Sequence, residues 1–297
     1  MDNIIAGQAI AEHLKNQLAT EVSEFYEHHK IRPGLAIIRI GENPASEIYV
    51  QHKLKCAKQV GIKAQEFHFE KTTPQEIHSL ISKLNRDSTI HGIIVQLPLP
   101  DSLPQLDILN AISPKKDVDG LHSLNQGLLA QGNTDGLIPC TPMGCYLLLK
   151  ACHEDLTGKN VVIVGRSTLV GRPLGALLLT KNATVTITHS KSKDLSSLCS
   201  KADILISAVG RPNFIKKDWI KPGATVIDVG IIRVPTSATK TTLTGDVDFD
   251  SVKGVAQHIT PVPGGVGPMT VVCLLKNTLK AAQISLSKDV HYPVDLP

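Results

Sequence analysis

The chain has 297 residues, 42% of them hydrophobic and 20% charged, with a formal net charge of +4. That length allows one large or two ordinary domains, and that composition belongs to a globular chain rather than a disordered or fibrous one. The basic residues are scattered with few aromatics among them, which argues against nucleic-acid binding, and no run of about 18 apolar residues offers a membrane span.

Aromatics make up only 3% of the chain. The core is therefore mainly aliphatic, a mix that favours parallel sheets covered by helices. Residues 9–26 read as a helix, and residues 34–39 (Gly-Leu-Ala-Ile-Ile-Arg) as a buried strand. Asn43-Pro44 resembles an N-cap followed by proline at the first helical position. That helix runs to about Val60 and stops at Gly61. A strand over 62–69, a helix from Thr73-Pro74 to about Asn85 and a strand over 91–97 complete a βαβ pattern, hence parallel strands. A long connection spans 98–142, and a helix follows to Lys150. A second series then alternates strands at 160–164, 183–188 and 204–209 with helices at 173–181 and 195–202. Strands at 225–229 and 255–260 lead to a Pro/Gly-rich segment and a last helix from Thr270.

The expected fold is two α/β domains with a cleft between them, the second a Rossmann-like doubly wound parallel sheet. The boundary is expected between residues 120 and 142, giving domains of 1–120 and 121–285. The last helix (270–297) is expected to pack back on the first. The six cysteines form no Cys-x-x-Cys pair, which favours free thiols in a reducing compartment over a metal site; no metal is expected. The amino terminus has no basic-then-apolar leader, so the expected location is cytoplasmic. A mildly basic chain suits a phosphorylated or polycarboxylate small molecule.

Pro261-Val262-Pro263-Gly264-Gly265-Val266-Gly267-Pro268-Met269-Thr270 is stiff and poor in side chains. It is either a rigid turn or a loop that lets backbone approach a flat or anionic ligand. Val161 to Pro173 reads strand, glycine turn, helix start, with Gly165-Arg166-Ser167 at the turn and Gly171 at the helix. The pattern departs from Gly-x-Gly-x-x-Gly, but the context is that of a dinucleotide fingerprint. The next strand ends in His189-Ser190-Lys191-Ser192, with no carboxylate before Asp194. An acid there would bind a ribose hydroxyl of NAD; a hydroxyl and cations suit the 2′-phosphate of NADP, unless these are simply solvated loop residues. Tyr49 and Lys53, four apart on a helix, share a face; the pair is either a stacking ring beside a reactive amine or a surface contact with a snorkelling lysine. Gln96 stands at a strand's carboxyl end, where ligands gather. Asp117 and Asp119 in Lys115-Lys116-Asp117-Val118-Asp119-Gly120 either form a turn or face a ligand.

These segments, with Pro139-Cys140-Thr141-Pro142, occur in one order across essentially the whole chain. Together they resemble the bifunctional methylenetetrahydrofolate dehydrogenase/cyclohydrolase family of the bacterial FolD type. The resemblance implies tetrahydrofolate derivatives as substrates, NADP as cofactor, a place in one-carbon metabolism and purine biosynthesis, and a homodimer. It makes residues 1–120 the folate-binding catalytic domain and 121–285 the NADP-binding domain. It gives Lys53, Gln96 and Asp119 catalytic roles. It places Tyr49, Leu97, Pro263, Gly264, Gly265, Val266 and Gly267 with them on folate. Gly165, Arg166, Ser167, Ser190 and Ile231 would hold NADP. A dehydrogenase with little hydrolase activity, a silent folate- or nucleotide-binding protein, and an α/β dehydrogenase for another substrate are the alternatives.

Overall fold

The computed structural model describes residues 3–235 and 241–286, which group into two units. The three-stranded unit takes the described residues of His13–Leu129, Asn133–Cys140 and Val271–Pro297; the five-stranded unit takes those of Met1–Glu12, Ala130–Gly132 and Thr141–Thr270.

In chain order the first elements are α1 (Gly7–His29), β1 (Gly34–Ile40), α2 (Pro44–Gln59), β2 (Lys63–Phe69), α3 (Pro74–Arg86) and β3 (Gly92–Val95). The sheet order is β2-β1-β3, all parallel. β1 is buried along its whole length, as its near-continuous aliphatic run requires. Its one charge, Arg39, is satisfied by Glu66 on β2 at 2.7 Å and by the Gly41 carbonyl at 3.2 Å. Asn43 caps α2, its side chain accepting from the Ala45 and Ser46 amides. Thr73 and Glu76 close a reciprocal capping box on α3.

The expected connection over 98–142 holds two short helices, α4 (Gln105–Ala111) and α5 (Ser123–Ala130), before α6 (Cys140–Lys150). Ile108, Leu109, Leu128 and Leu129 are buried, so tertiary packing makes helix of stretches too short to show a period.

The five-stranded unit continues with β4 (Asn160–Val164), α7 (Gly171–Leu179), β5 (Thr184–Thr188), α8 (Leu195–Cys199), β6 (Ile204–Ser207) and β7 (Thr225–Asp228). A hairpin of β8 (Ile232–Pro235) and β9 (Thr241–Thr244), then α9 (Phe249–Val252) and β10 (His258–Ile259) complete it; the last helix, α10 (Val266–Leu286), belongs to the three-stranded unit from Val271 on. The sheet is parallel in order β10-β7-β6-β4-β5. The chain thus leaves β4 to one side for β5 and returns past it to β6. This is the doubly wound arrangement, with its switch point at the carboxyl ends of β4 and β6.

The last helix begins at Val266, four residues before the expected start. Gly267 and Pro268 sit in its first turn, where the backbone N–H groups have no helical partner to lose. Its expected extension past Leu286 lies outside the described residues. None of the six cysteines is in a disulfide, and five of them are buried. Among the described residues no helix is long and apolar enough to cross a membrane, and no group of three or more His, Cys, Asp or Glu could hold a metal ion.

Candidate active site

In the three-stranded unit, α2 carries Tyr49 and Lys53 toward the carboxyl end of the sheet. Lys53 Nζ donates to Gln96 Oε1 at 2.8 Å, joining residues 43 apart in sequence. Gln96 follows β3 directly. Its amide donates to the Ile38 carbonyl at 2.8 Å and its Nε2 to the Leu97 carbonyl at 2.7 Å. With both backbone and side chain held, its oxygen is left to the amine. The Leu97-Pro98 bond that follows is cis.

Burial lowers the Lys53 pKa below the ordinary lysine value of 10.5, opposed by Asp119 and Cys140. Burial likewise raises Asp119, opposed by Lys53. Amine and carboxylate thus share one desolvated pocket, and each makes the other's charge less costly. The Cys140 thiol donates to the Val118 carbonyl at 3.2 Å and bonds to Asp119; burial pushes its own pKa well up, so it stays a thiol. Tyr49 is 38% exposed, one helical turn from Lys53.

The turn that presents Asp119 is itself held from below. Asp117 is buried and accepts from the His122 amide at 2.8 Å, the Leu121 amide at 3.2 Å and Asn125 Nδ2 at 2.8 Å. Burial raises its pKa to about 7. Asn277 of α10 donates to the carbonyls of Val118 and Ile138, both at 2.9 Å. Of the two aspartates in this turn, Asp117 therefore builds the loop and Asp119 faces the amine. No local signal pointed to Asn277, or to Cys140 as a neighbour of Asp119, because both contacts form only when distant segments meet.

In the five-stranded unit the fingerprint turn is packed backbone against backbone. Gly165 has φ +125°, and a Cβ there would collide with the Ala208 carbonyl at the end of β6. A Cβ on Gly171 would collide with the Gly165 carbonyl. Ser167 Oγ accepts from the Val170 amide at 3.1 Å, and Arg172 Nε donates to the Arg166 carbonyl at 3.1 Å. Arg166 and Ser190 are each two residues beyond a register pair, Val164 and Thr188, on adjacent strands, and both are exposed. Ile231, 44% exposed, follows β7. A Cβ on Gly267 would lie 3.4 Å from Ile231 Cδ1. The Pro263 to Gly267 turn, with its cis Val262-Pro263 bond, therefore sits against Ile231.

Two aspartates, unnoticed in the sequence, fix the strand ends around this turn. Asp246 accepts from Ser207 Oγ (3.1 Å), the Val209 amide (2.7 Å) and the Arg211 amide (2.8 Å). Asp228 accepts from the amides of Gly230 (2.9 Å), Asp246 (2.9 Å) and Val247 (2.8 Å). A Cβ on Gly245 would strike the Asp228 carboxylate. Gly245→Ala is therefore expected to cost about 1–3 kcal/mol as overpacking, read by thermal unfolding. Gly254→Ala, whose methyl meets open space, should stay within about 0.5 kcal/mol of the parent. Equal effects would remove the close approach as the cause.

The comparisons with known proteins agree with this fold. Residues 5–119 match the family model for the tetrahydrofolate dehydrogenase/cyclohydrolase catalytic domain, and residues 139–286 match that for the NAD(P)-binding domain. A bifunctional protein FolD of Bradyrhizobium sp. strain BTAi1 is 53% identical over 280 residues, covering 94% of this chain and 95% of that one. The crystal structure of a bifunctional FolD methylenetetrahydrofolate dehydrogenase/cyclohydrolase from Campylobacter jejuni superposes with a TM-score of 0.91 at 44% identity, covering 95% of this chain and 99% of that one. A Trypanosoma brucei methylenetetrahydrofolate dehydrogenase-cyclohydrolase complexed with NADP cofactor and inhibitor gives 0.90 at 37% identity, covering 95% and 97%. With both family models matched and the likeness running nearly end to end, the chain belongs to the tetrahydrofolate dehydrogenase/cyclohydrolase family.

Proposed function

We propose that Lys53, held by Gln96 and set against Asp119, manages water and protons in the hydrolytic half of a two-step folate reaction. The chain acts in one-carbon folate metabolism. It oxidises 5,10-methylenetetrahydrofolate to 5,10-methenyltetrahydrofolate with NADP, and it hydrolyses the product to 10-formyltetrahydrofolate. The observation that carries the assignment of Lys53 is its 2.8 Å bond to Gln96 in a pocket that lowers its pKa.

Lys53 needs a neutral amine to take a proton from water, and burial shifts it in that direction; the cationic methenyl substrate would lower the pKa further. Gln96 fixes the amine's direction. Asp119 accepts from the pterin's amino and ring N–H groups. Tyr49 stacks on the ring, while Leu97 and the Pro263, Gly264, Gly265, Val266 and Gly267 backbone contact folate.

The five-stranded unit fits a dinucleotide. Gly165 and Gly171 let the turn close on neighbouring backbone that any Cβ would strike, and the turn leads into the α7 amino terminus. NADP⁺ held there would supply the acceptor for the hydride of the methylene carbon. Gly165, Ser167 and Ile231 hold it, with Arg166 and Ser190 on the 2′-phosphate. Arg166→Ala is expected to raise KM for NADP⁺ about tenfold or more and to leave NAD⁺ kinetics nearly unchanged. Equal losses with both nucleotides in steady-state assays would sink the assignment.

A homodimer, a cytoplasmic location and a role in purine biosynthesis complete the proposal. Partial exposure of Ile187 on β5, an edge strand of its sheet, supports pairing with a second copy. The deciding experiment is a paired absorbance assay: methylenetetrahydrofolate with NADP⁺ and with NAD⁺, then methenyltetrahydrofolate with no nucleotide. NADPH formation and accelerated methenyl decay together bear out both steps. Hydride transfer without accelerated decay would remove the role given to Lys53.

A further inference from the structure

The three-stranded unit contains a second cavity, of about 1100 Å³, lined in part by Gly34, Lys63 and His91. It lies at the amino ends of β1, β2 and β3, whereas Gln96 lies at the carboxyl end. Its lining includes Lys30, Arg32, Lys63, Lys115 and Lys116, and no Asp or Glu among the described residues. The chain holds 31 basic and 27 acidic residues, so a mixed lining is the expectation and this one is not mixed.

Part of that charge has a local cause. Helix carboxyl termini attract cations. Lys116 Nζ donates to the Leu84 and Asp87 carbonyls at the end of α3, at 3.0 and 2.7 Å. Lys30 pairs with Glu27 at 3.0 Å. Arg32 and Lys63 have no such explanation: both are exposed, and neither has an ion pair among the described residues. Arg32 is held at the rim by the Tyr26 ring, its guanidinium carbon 4.6 Å from the centroid. Burial first, and then Lys116, lower the pKa of His91, opposed by Asp87. A concave site of this volume suits a small ligand; a nucleic acid would need an open basic stripe with aromatics.

We propose that this cavity binds a multiply phosphorylated small molecule, with Arg32 and Lys63 as its principal contacts. The test is calorimetric titration of the full-length protein with inorganic tripolyphosphate at low salt, with saturating NADP⁺ present to fill the nucleotide site. The expected result is one tripolyphosphate per chain, bound less tightly as salt rises. Arg32→Glu and Lys63→Glu should each weaken binding about tenfold or more, while dehydrogenase and cyclohydrolase rates stay at wild-type values and report intact folding. Absence of binding, binding that survives both reversals, or binding lost in Arg166→Ala instead, overturns the proposal.

Discussion

Lys53→Met is expected to lower cyclohydrolase turnover by about 10²- to 10⁴-fold, the range that a positioned general base contributes. Methionine keeps the length and apolar stem of lysine, and so isolates the amine. The measurement is the decay of methenyltetrahydrofolate absorbance without nucleotide. Hydride transfer needs no protein acid, because the folate nitrogen lone pair expels the hydride; it should fall less than hydrolysis. The pH profile carries the sign. Below the lowered pKa of Lys53 the amine is protonated and cannot take a proton, so hydrolysis rises with pH through that value and then levels. The rising limb should lie below the range of an ordinary lysine and vanish in Lys53→Met. Asp119 holds the Lys53 pKa up, so Asp119→Asn should move the limb to lower pH. A Lys53→Met enzyme with wild-type hydrolysis, or an unmoved limb in Asp119→Asn, would take the role from this pair.

Much of this was legible from short-range signals. Asn43-Pro44 and Thr73-Pro74 marked helix starts, and both cap their helices as written. Aliphatic runs marked β1, β3 and β4, because strands buried on both faces leave nothing else to put there. What escaped depends on contacts distant in sequence. α4 and α5 hold only 7 and 8 residues, too few for a period, and α4 has no side-chain cap. β8 and β9 are four residues each, and Thr-rich polar stretches do not announce a hairpin. Nothing in the sequence singled out Asp228 or Asp246. Only the fold shows six donors converging on them, and only then do Gly230 and Gly245 acquire a reason: a Cβ on either would meet a carboxylate. The Lys53–Gln96 bond became expected through the resemblance, not through spacing, since nothing local brings residue 53 to residue 96.

Gly120→Ala is expected to be the most damaging single-methyl change near the reactive amine. Gly120 has φ +71°, and a Cβ there would lie 2.5 Å from the Pro139 nitrogen and 2.7 Å from the Ile138 carbonyl carbon. Both are backbone atoms of a segment pinned on each side. Asn277 holds the Ile138 carbonyl at 2.9 Å, and the Cys140 amide reaches back to the Asp119 carbonyl at 3.4 Å. Neither wall can yield cheaply, so the turn must move, and Asp119 moves with it. Gly132→Ala separates the two causes. Gly132 has φ +83°, and a Cβ there would meet nothing within 4 Å, so it isolates the dihedral cost of about 1 kcal/mol. Gly120→Ala should cost on the order of 3–5 kcal/mol in denaturant unfolding, in the range reserved for a named steric fault. It should also lower hydrolysis at temperatures where the variant remains folded, since Asp119 would no longer stand where Lys53 meets it. If the two alanine variants lose equal stability, backbone dihedral alone explains both, and the close packing of the Asp119 turn against residues 138–140 is not what fixes the carboxylate.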